Sequence, residues 1–378
     1  MPVKGAPEAA QIAAFLRAGT EDLIWRDAHL HIGRNDPDGT TATLEEILEG
    51  LDAAGHAGGL VYPMHEPGGY PAANDMIAAQ VAASGGRLDW LCRVDPNAGG
   101  AVAEAQRCLA DGAAGIKLHP RSDAFGLPHP VVDELVALAA DHRAPVLFHA
   151  GRGIPNLGLD AAELARRHPE VRIVLAHAGI SDLGLLADAA AQLPNLLFDS
   201  SWWNVGDVLA LLTSIPPGQI LYASDMPYGT GLFAAFLLTR GMRQAGLGAD
   251  ALASIAGGQL ARVIAGEALA ELGPAVGEAG LGARSAPLER VTTHTAAALH
   301  LAFAQGEPGE AVALARLGCQ HGDDAPHGAL LDVAARLLDL ATAQRAAAGG
   351  DPFAIVPCVL AAHTLCGTPE AGVPPVTP

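Results

Sequence analysis

Short apolar runs recur between residues 24 and 225, and longer segments with apolar residues at helical spacing separate them. The runs are rich in Val, Ile and Leu, which predicts β-strands that are buried on both faces. They span residues 24–31, 58–65, 88–95, 114–119, 145–150, 171–178, 195–200 and 220–225. Because strands and helices alternate with a repeat of roughly 30 residues, the pattern predicts an α/β fold, the (β/α)8 TIM barrel.

The segment after the first predicted strand carries signals for both ends of a helix. Thr43 followed by Glu46 matches a capping box, in which each residue bonds the backbone of the other. Leu44 and Ile47 begin the apolar face, and Gly55 follows its last position. The pattern therefore predicts a helix that starts after Thr43 and stops at Gly55.

The strand pattern ends after about residue 267, and the remaining sequence predicts a small all-α domain. We expect an N-terminal extension over 1–20, the barrel over 21–270, a Gly/Pro/Ala linker over 271–287, a helical domain over 288–368 and a disordered tail over 369–378. The helical domain has five histidines without ligand spacing, so we expect no metal there. They are His294, His300, His321, His327 and His363.

Composition limits the possible classes of function. The formal net charge is −19, from 22 basic and 41 acidic residues, which disfavours nucleic-acid binding because phosphates would be repelled. Neither a signal peptide nor a membrane-spanning apolar run is visible, so we expect a soluble protein that does not bind membranes. Five cysteines without a CxxC pair favour reduced thiols and a cytoplasmic location. They are Cys92, Cys108, Cys319, Cys358 and Cys366.

Side chains that can bind metals follow the predicted strands at the end where barrel enzymes hold their active sites. His29 and His31 stand two residues apart on the first strand, so both point to the same side and can ligate one ion. Later strands end on His149, His177 and Asp225. Four histidines and an aspartate at one face have no simple structural role, so the pattern predicts a divalent-metal site with these five as ligands.

The motifs DAHLHIG, GIKLHP, LFHAG, LAHAG and SDMPYG occur in this order, and together they resemble the amidohydrolase superfamily over about residues 24–267. The last three are most similar to the branch that includes aminocarboxymuconate semialdehyde decarboxylase and related metal-dependent hydrolases. The resemblance implies a metal-dependent TIM-barrel enzyme. It does not extend to the C-terminal helical segment.

Lys117 decides how many ions are expected. In two-metal superfamily members a lysine on the fourth strand is carboxylated and bridges the ions, whereas the decarboxylase-like branch has one ion and that position need not be a ligand. Alternation along the strand places Lys117 and His119 inward, which permits a bridge. The alternative is an ammonium group that pairs with Asp225, Asp27 or a substrate carboxylate. We therefore expect one ion, or two if Lys117 is carboxylated.

The expected chemistry uses a metal-activated water. A bound Zn²⁺ lowers the pKa of its water from about 16 to about 7 and polarises a carbonyl oxygen. Asp225 is then expected to accept the proton and pass it to the leaving group. His177 is either a second-metal ligand or a catalytic or orienting group. Zn²⁺ is the cofactor we expect, with Mn²⁺ or Fe²⁺ as alternatives, because imidazole and carboxylate ligands suit all three.

Three functions compete at this stage. The main hypothesis is a hydrolase that attacks an amide, lactone or ester of a small substrate, with or without a carboxylate group. The first alternative is a non-oxidative decarboxylase of an aromatic or dienoic acid that uses the same metal. The second is a metal-containing barrel that only binds a ligand, because a fold does not by itself fix a function.

Cations that follow the strand ends suggest an anionic substrate, although loop arginines also pair with nearby acids such as Asp36, Asp95, Asp123 and Asp199. These cations are Arg34, Arg93, Lys117, Arg121 and Arg152. The candidate substrate contacts are His119, Arg121, Arg152 and Trp202, and the neighbouring aromatic residues Trp203, Tyr70 and Tyr228 can add an apolar wall. The helical domain has apolar residues on more than one face, so we also expect a homodimer.

Overall fold

Eight parallel strands form one sheet in the order β1 to β8, and the sheet is a nearly closed TIM barrel, as predicted. The computed structural model describes residues 7–151, 154, 156–180, 182–283, 285–376 and 378. The strands are β1 (Arg26–Ile32), β2 (Gly58–Pro63), β3 (Leu88–Arg93), β4 (Gly115–Leu118), β5 (Val146–Phe148), β6 (Ile173–Leu175), β7 (Leu196–Asp199) and β8 (Ile220–Leu221).

Helices α2 to α8 connect successive strands, which is the alternation that the sequence predicts. In chain order the helices are α1 (Pro7–Arg17), α2 (Leu44–Ala54), α3 (Pro71–Ala83), α4 (Ala101–Ala110), α5 (Pro130–His142), α6 (Leu157–Arg167), α7 (Leu183–Gln192), α8 (Val205–Ser214), α9 (Gly231–Gln244), α10 (Ala249–Ala253), α11 (Gln259–Ile264), α12 (Ala286–Phe303), α13 (Gly309–Gly318), α14 (Gly328–Ala347) and α15 (Val356–Gly367).

The ends of α2 follow from its local sequence. The Thr43 hydroxyl accepts a hydrogen bond from the Glu46 backbone N–H at 3.3 Å, and the Glu46 carboxylate accepts one from the Thr43 N–H at 2.9 Å. Gly55 ends the helix with a φ of 75°, a left-handed conformation that suits glycine. The predicted capping box and the predicted stop are both confirmed.

The barrel closes where β1 meets the chain that leaves β8. The Ala28 N–H donates to the Tyr222 carbonyl at 2.9 Å, and the His31 N–H donates to the Met226 carbonyl at 2.9 Å. The buried carboxylate of Asp27 strengthens this seam, because its Oδ1 accepts from the backbone N–H of His29 and of Ser224, each at 3.0 Å. Burial raises the pKa of Asp27 to about 7.

The barrel interior is filled with apolar side chains, so the barrel is a packed core and not a pore. One buried cluster joins residues of seven strands to two residues of α11. It contains Ala28, Leu60, Tyr62, Leu91, Leu147, Val174, Ala176, Leu197, Leu221, Ala223, Leu260 and Val263.

Contacts divide the chain into two compact units that interleave along the sequence. The barrel unit consists of Leu23–Ala235 and Leu247–Gly277, and the helical unit consists of residues up to Asp22, Phe236–Gly246 and Glu278–Pro378. The helical unit includes α12 to α15, so the predicted helical C-terminal region is present. The exact domain limits given by the sequence, including the linker and the disordered tail, stay a prediction.

Two expectations from composition concern cysteines and membranes. All five cysteines are buried, and each has a free thiol. Among the described residues, no helix is both long and apolar enough to cross a membrane.

The seam between β1 and β8 can be tested by substitution of Asp27. We expect Asp27→Ala to lower the free energy of unfolding by roughly 2–4 kcal/mol, because two buried N–H groups lose their acceptor. Asp27→Asn keeps the accepting oxygen and should cost less than half as much. Urea denaturation followed by circular dichroism measures both variants. Equal stability of Asp27→Ala and wild type would show that the carboxylate does not support the seam.

Candidate metal centre and active site

Three side chains converge where the barrel closes. His29 and His31 lie on β1, and Asp225 lies four residues beyond the end of β8. The Nε2 atoms of the two histidines are 3.1 Å apart, and Asp225 Oδ1 lies 3.2 Å from His29 Nε2 and 3.1 Å from His31 Nε2. Among the described residues, these three form the group of potential ligands whose donor atoms all lie within 4.8 Å of one another.

The two histidines face the same side, as strand alternation predicts, but β1 is not regular at this point. Its pairing with β2 changes from Asp27 opposite Gly59 to Leu30 opposite Val61, so β1 contains one extra residue between them. Such bulges bend a strand and turn side chains, and they are common beside active sites. His29 lies within this bulge.

Asp199, at the end of β7, fixes the orientation of His29. Its Oδ2 lies 2.8 Å from His29 Nδ1, and because a carboxylate only accepts, Nδ1 carries the proton. The lone pair of His29 is therefore on Nε2, the atom that faces His31 and Asp225. A carboxylate behind a metal-binding histidine is the usual way to set its tautomer. From the sequence, Asp199 was expected only as a possible arginine partner, although it ends its apolar run as the other site residues do.

The donor set fits a divalent transition metal. Burial lowers the pKa values of His29 and His31 well below the usual range, so both imidazoles are neutral and offer lone pairs. Burial also raises the pKa of Asp225 to about 7. Two imidazole nitrogens and one carboxylate oxygen at such short separations would be stabilised by a cation between them, and this ligand set suits zinc, manganese or iron.

Two of the predicted site residues have unusual backbone conformations. His177 has a φ of 57° and Asp225 a φ of 61°, both in the left-handed region that non-glycine residues rarely adopt. Each stands at the point where the chain leaves its strand. Such strain is typical of residues that the surrounding structure holds in place for function.

His177 and His149 form a hydrogen-bonded pair beside the three-residue group. His177 Nδ1 lies 3.0 Å from the Ser201 carbonyl oxygen, so this nitrogen donates, and Nε2 is left to accept from His149 Nδ1 at 2.9 Å. The His149 lone pair is then on Nε2, which is buried without a hydrogen-bond partner among the described residues. His177 Nδ1 is 4.0 Å from Asp225 Oδ2. The structure thus brings His177 next to Asp225, but His149 is not in the group of three, and its role as a ligand stays a prediction.

His119 lies at the outer edge of this histidine cluster. Its ring stacks on that of His149, with ring centres 3.9 Å apart and an angle of 12° between the planes. Its Nδ1 accepts a hydrogen bond from the Ser122 N–H at 3.2 Å. Burial lowers the pKa values of His119 and His149, so neither is charged in this environment. The role of His119 as a substrate contact stays a prediction.

Lys117 points inward from β4, as predicted, and its side chain is completely buried. In the part of the chain that the structure describes, its Nζ has no hydrogen-bond partner and lies 4.6 Å from the centre of the Tyr62 ring. Burial lowers the pKa of Lys117 to about 7, and the charge of Arg93 acts in the same direction, while Asp199 and Asp225 oppose the shift. The bridging role of Lys117 stays a prediction.

Arg93 is a second buried cation near the site, and it has a carboxylate partner. Its guanidinium lies 3.2 Å from both oxygens of Asp123 and 4.6 Å from the centre of the Tyr70 ring. Tyr70 donates to the same carboxylate at 2.5 Å. The sequence left two roles open for Arg93, substrate binding or pairing with a nearby acid. The structure contains the ion pair with Asp123.

The remaining candidate substrate contacts are more exposed. Arg121 lies at the surface after β4. The Trp202 indole donates to Asp207 at 2.6 Å, and its ring centre is 6.4 Å from that of His177. Tyr228 places its ring edge on His31, with centres 5.3 Å apart. Arg152 lies outside the described residues.

The metal centre can be tested by removal of its two histidines. We expect zinc-supplied protein to hold one ion per chain and the double variant His29→Ala, His31→Ala to lose most of it, because two of three ligands are gone. His168→Ala is the control, because this histidine lies between α6 and β6, outside the site. Elemental analysis by mass spectrometry gives the metal content, and circular dichroism confirms folding. Unchanged zinc in the folded double variant would rule out this centre.

Asp199 is expected to affect the metal through His29. Substitution of such a carboxylate partner typically weakens metal binding by about 10- to 100-fold. We therefore expect Asp199→Asn to fold, to keep all direct ligands and to raise the dissociation constant for zinc within that range. Competition with a chromophoric chelator measures the constant. A constant equal to that of wild type would show that Asp199 has only a structural role.

The barrel part of the chain resembles a known family and several solved structures. Residues 27–258 match the family model described as Amidohydrolase, whereas no curated protein sequence matches the chain. Among solved structures, 2,6-dihydroxybenzoate decarboxylase from Rhizobium is similar at 14% identity and a TM-score of 0.52, over 64% of this chain and 99% of that chain. The 5-carboxyvanillate decarboxylase from Sphingomonas paucimobilis is similar at 16% identity and a TM-score of 0.50, over 64% and 99%.

A TIM-barrel protein from Bordetella bronchiseptica has 17% identity and a TM-score of 0.52, over 65% of this chain and 99% of that chain. At these identities the three structures show a shared barrel fold. The family match is independent of them and contains His29, Asp225 and every residue of the histidine cluster. The chain therefore belongs to the amidohydrolase family and is an enzyme of the amidohydrolase superfamily.

Proposed function

We propose that the protein is a divalent-metal-dependent hydrolase that cleaves an amide, ester or lactone of a small substrate. The observation that carries this proposal is the position of the two oxygens of Asp225. Oδ1 lies within 3.2 Å of both histidine Nε2 atoms, whereas Oδ2 lies on the side of His177, at 4.0 Å from its Nδ1. One oxygen is placed to bind a cation, and the other remains available for a proton.

His29, His31 and Asp225 would hold the ion, with zinc as the first candidate and manganese or iron as alternatives. When bound, a divalent ion supplies a Lewis acid for a carbonyl oxygen and lowers the pKa of water so that a nucleophile exists at neutral pH. The superfamily is typically metal-dependent, which supports this assignment. The identity of the metal is part of the proposal.

The protein's own groups would then move one proton. Asp225 Oδ2 accepts a proton from the attacking water and donates it to the leaving nitrogen or oxygen, as a general base and then a general acid. His177 borders this oxygen, and its ring is fixed from both sides by the Ser201 carbonyl and His149. Because both of its ring nitrogens are occupied, His177 would act as a fixed wall beside the reacting carboxylate and limit the positions that substrate and water can take there.

Non-oxidative decarboxylation is the second candidate. Two structures with the same barrel fold are decarboxylases of aromatic acids, according to their names. In this reaction the same three residues would hold the ion, and Asp225 would deliver a proton to the carbon that loses CO₂. The two candidates differ in product, since hydrolysis consumes water and gives a new acid, whereas decarboxylation releases CO₂.

The expected result for Asp225 is loss of turnover with the metal largely retained. We expect Asp225→Asn to lower kcat by about 10²- to 10⁴-fold, because an amide cannot accept the proton. Asp52→Asn is the control, because Asp52 is an exposed carboxylate on α2 that pairs with Arg87 outside the site. Substrates are found by screening carboxylated lactones, N-acyl compounds and hydroxybenzoates, with acid release and CO₂ measured in parallel.

The outcomes of this screen distinguish hydrolysis from decarboxylation and test the role of Asp225. Acid release from a lactone or N-acyl compound that Asp225→Asn abolishes supports hydrolysis. CO₂ release from a hydroxybenzoate without hydrolysis of any other compound would replace the first candidate by the second. Turnover by Asp225→Asn within a few-fold of wild type would contradict the proton-transfer role in both.

A further inference from the structure

Lys117 lies near the three candidate ligands His29, His31 and Asp225. On β4 it stands in register between Arg93 of β3 and Leu147 of β5. Its Nζ lies 4.6 Å from the centre of the Tyr62 ring, and the same ring packs against His29 and His31, with centres 5.2 and 4.7 Å apart. Tyr62 therefore connects the ammonium group to both histidines.

The Lys117 Nζ has no hydrogen-bond partner among the described residues, and two nearby carboxylates, Asp199 and Asp123, are bound by other donors. Asp199 accepts from the ring of His29 and from two backbone N–H groups, at distances of 2.8 to 3.0 Å. Asp225 Oδ1 lies between the two histidines, and Asp123 binds Arg93 and Tyr70. In the part of the chain that the structure describes, the Lys117 Nζ is thus fully buried without a hydrogen-bond partner.

A buried ammonium group without a counter-charge is costly, and the contact with the Tyr62 ring offsets only part of the cost, so burial lowers the pKa of Lys117 to about 7. An anion beside the Nζ would stabilise the charged form. Arg93 shows how the same region satisfies a buried cation, since its guanidinium pairs with Asp123. Lys117 lacks such a partner although Asp199 and Asp225 are close enough to influence it electrostatically. An external anion would provide the missing acceptor.

We propose that Lys117 binds the carboxylate group of the substrate and is the residue that selects carboxylated substrates. This inference rests on the proposed function and names its substrate class. A monoanion matches the charge of one ammonium group. A dianion such as a phosphate ester is disfavoured, because the carboxylates of Asp199 and Asp225 would repel the second charge.

The test compares binding of carboxylates with binding of the corresponding amides, so it does not require a known substrate. The probes are acetate and benzoate against acetamide and benzamide, titrated calorimetrically into zinc-loaded protein. Lys117→Met removes the charge and keeps the length of the side chain. Arg166→Met is the control, because Arg166 is an exposed cation on α6 that pairs with Glu163.

We expect wild type to bind at least one carboxylate about tenfold or more tightly than its amide, the size of one charge-assisted hydrogen bond. Lys117→Met should lose this preference without a change in amide affinity, and Arg166→Met should keep it. Lys117→Arg should retain part of the preference, which separates loss of charge from loss of shape. Circular dichroism and zinc content establish that each variant is folded and loaded.

Three results would overturn the inference. The first is a wild type that prefers neither carboxylate over its amide, and the second is a Lys117→Met variant that keeps the full preference. The third is a carbamate signal after incubation with ¹³C-bicarbonate, in a protein that holds two ions, when Lys117→Met loses both the signal and one ion. The lysine would then be a bridging metal ligand. Carboxylate selectivity without any hydrolysis would reject the proposed reaction alone, and hydrolysis without selectivity would reject only this inference.

Discussion

The meeting of β1 with the chain that leaves β8 is the constraint on which the site depends. Two backbone hydrogen bonds and the carboxylate of Asp27 join these segments, and the same seam brings His31 and Asp225, 194 residues apart in sequence, to 3.1 Å. The barrel interior is filled with apolar side chains. The hydrogen bonds that close the barrel therefore also bring the candidate metal ligands together.

Several polar side chains of the site are buried, and most of them have hydrogen-bond partners that offset the free-energy cost of burial. His29 is neutral and held by Asp199, and His177 is held by Ser201 and His149. The left-handed backbone at His177 and Asp225 adds strain that the surrounding packing must balance. Lys117 differs from all of these, because its charge is buried without a partner among the described residues. The site thus contains a group of three candidate metal ligands and a buried lysine without a hydrogen-bond partner among the described residues.

The family match and the fold comparisons support different levels of the conclusion. The match over residues 27–258 establishes membership of the amidohydrolase family, and the similar structures establish the barrel. A barrel of this kind supports many reactions by variation at the strand ends, so the reaction depends on local geometry and not on the fold. The position of Asp225 Oδ2 supports proton transfer in either candidate reaction, and the substrate decides which one occurs. The matched region ends at residue 258, before α12 to α15 of the helical unit begin.

The sequence by itself determined the features that depend on local periodicity. The eight strands, the capping box of α2 and the shared direction of His29 and His31 follow from spacing along the chain, because side-chain direction repeats within each element. Asp225 was visible because it ends an apolar run. The tertiary structure alone decided which of these groups touch one another. The register of neighbouring strands and the bulge in β1 determine which side chains meet. They set the bond from His29 to Asp199 and the pair formed by His177 and His149. They also leave Lys117 without a hydrogen-bond partner among the described residues. Register is set by packing between residues that are far apart in sequence, and no local pattern encodes it.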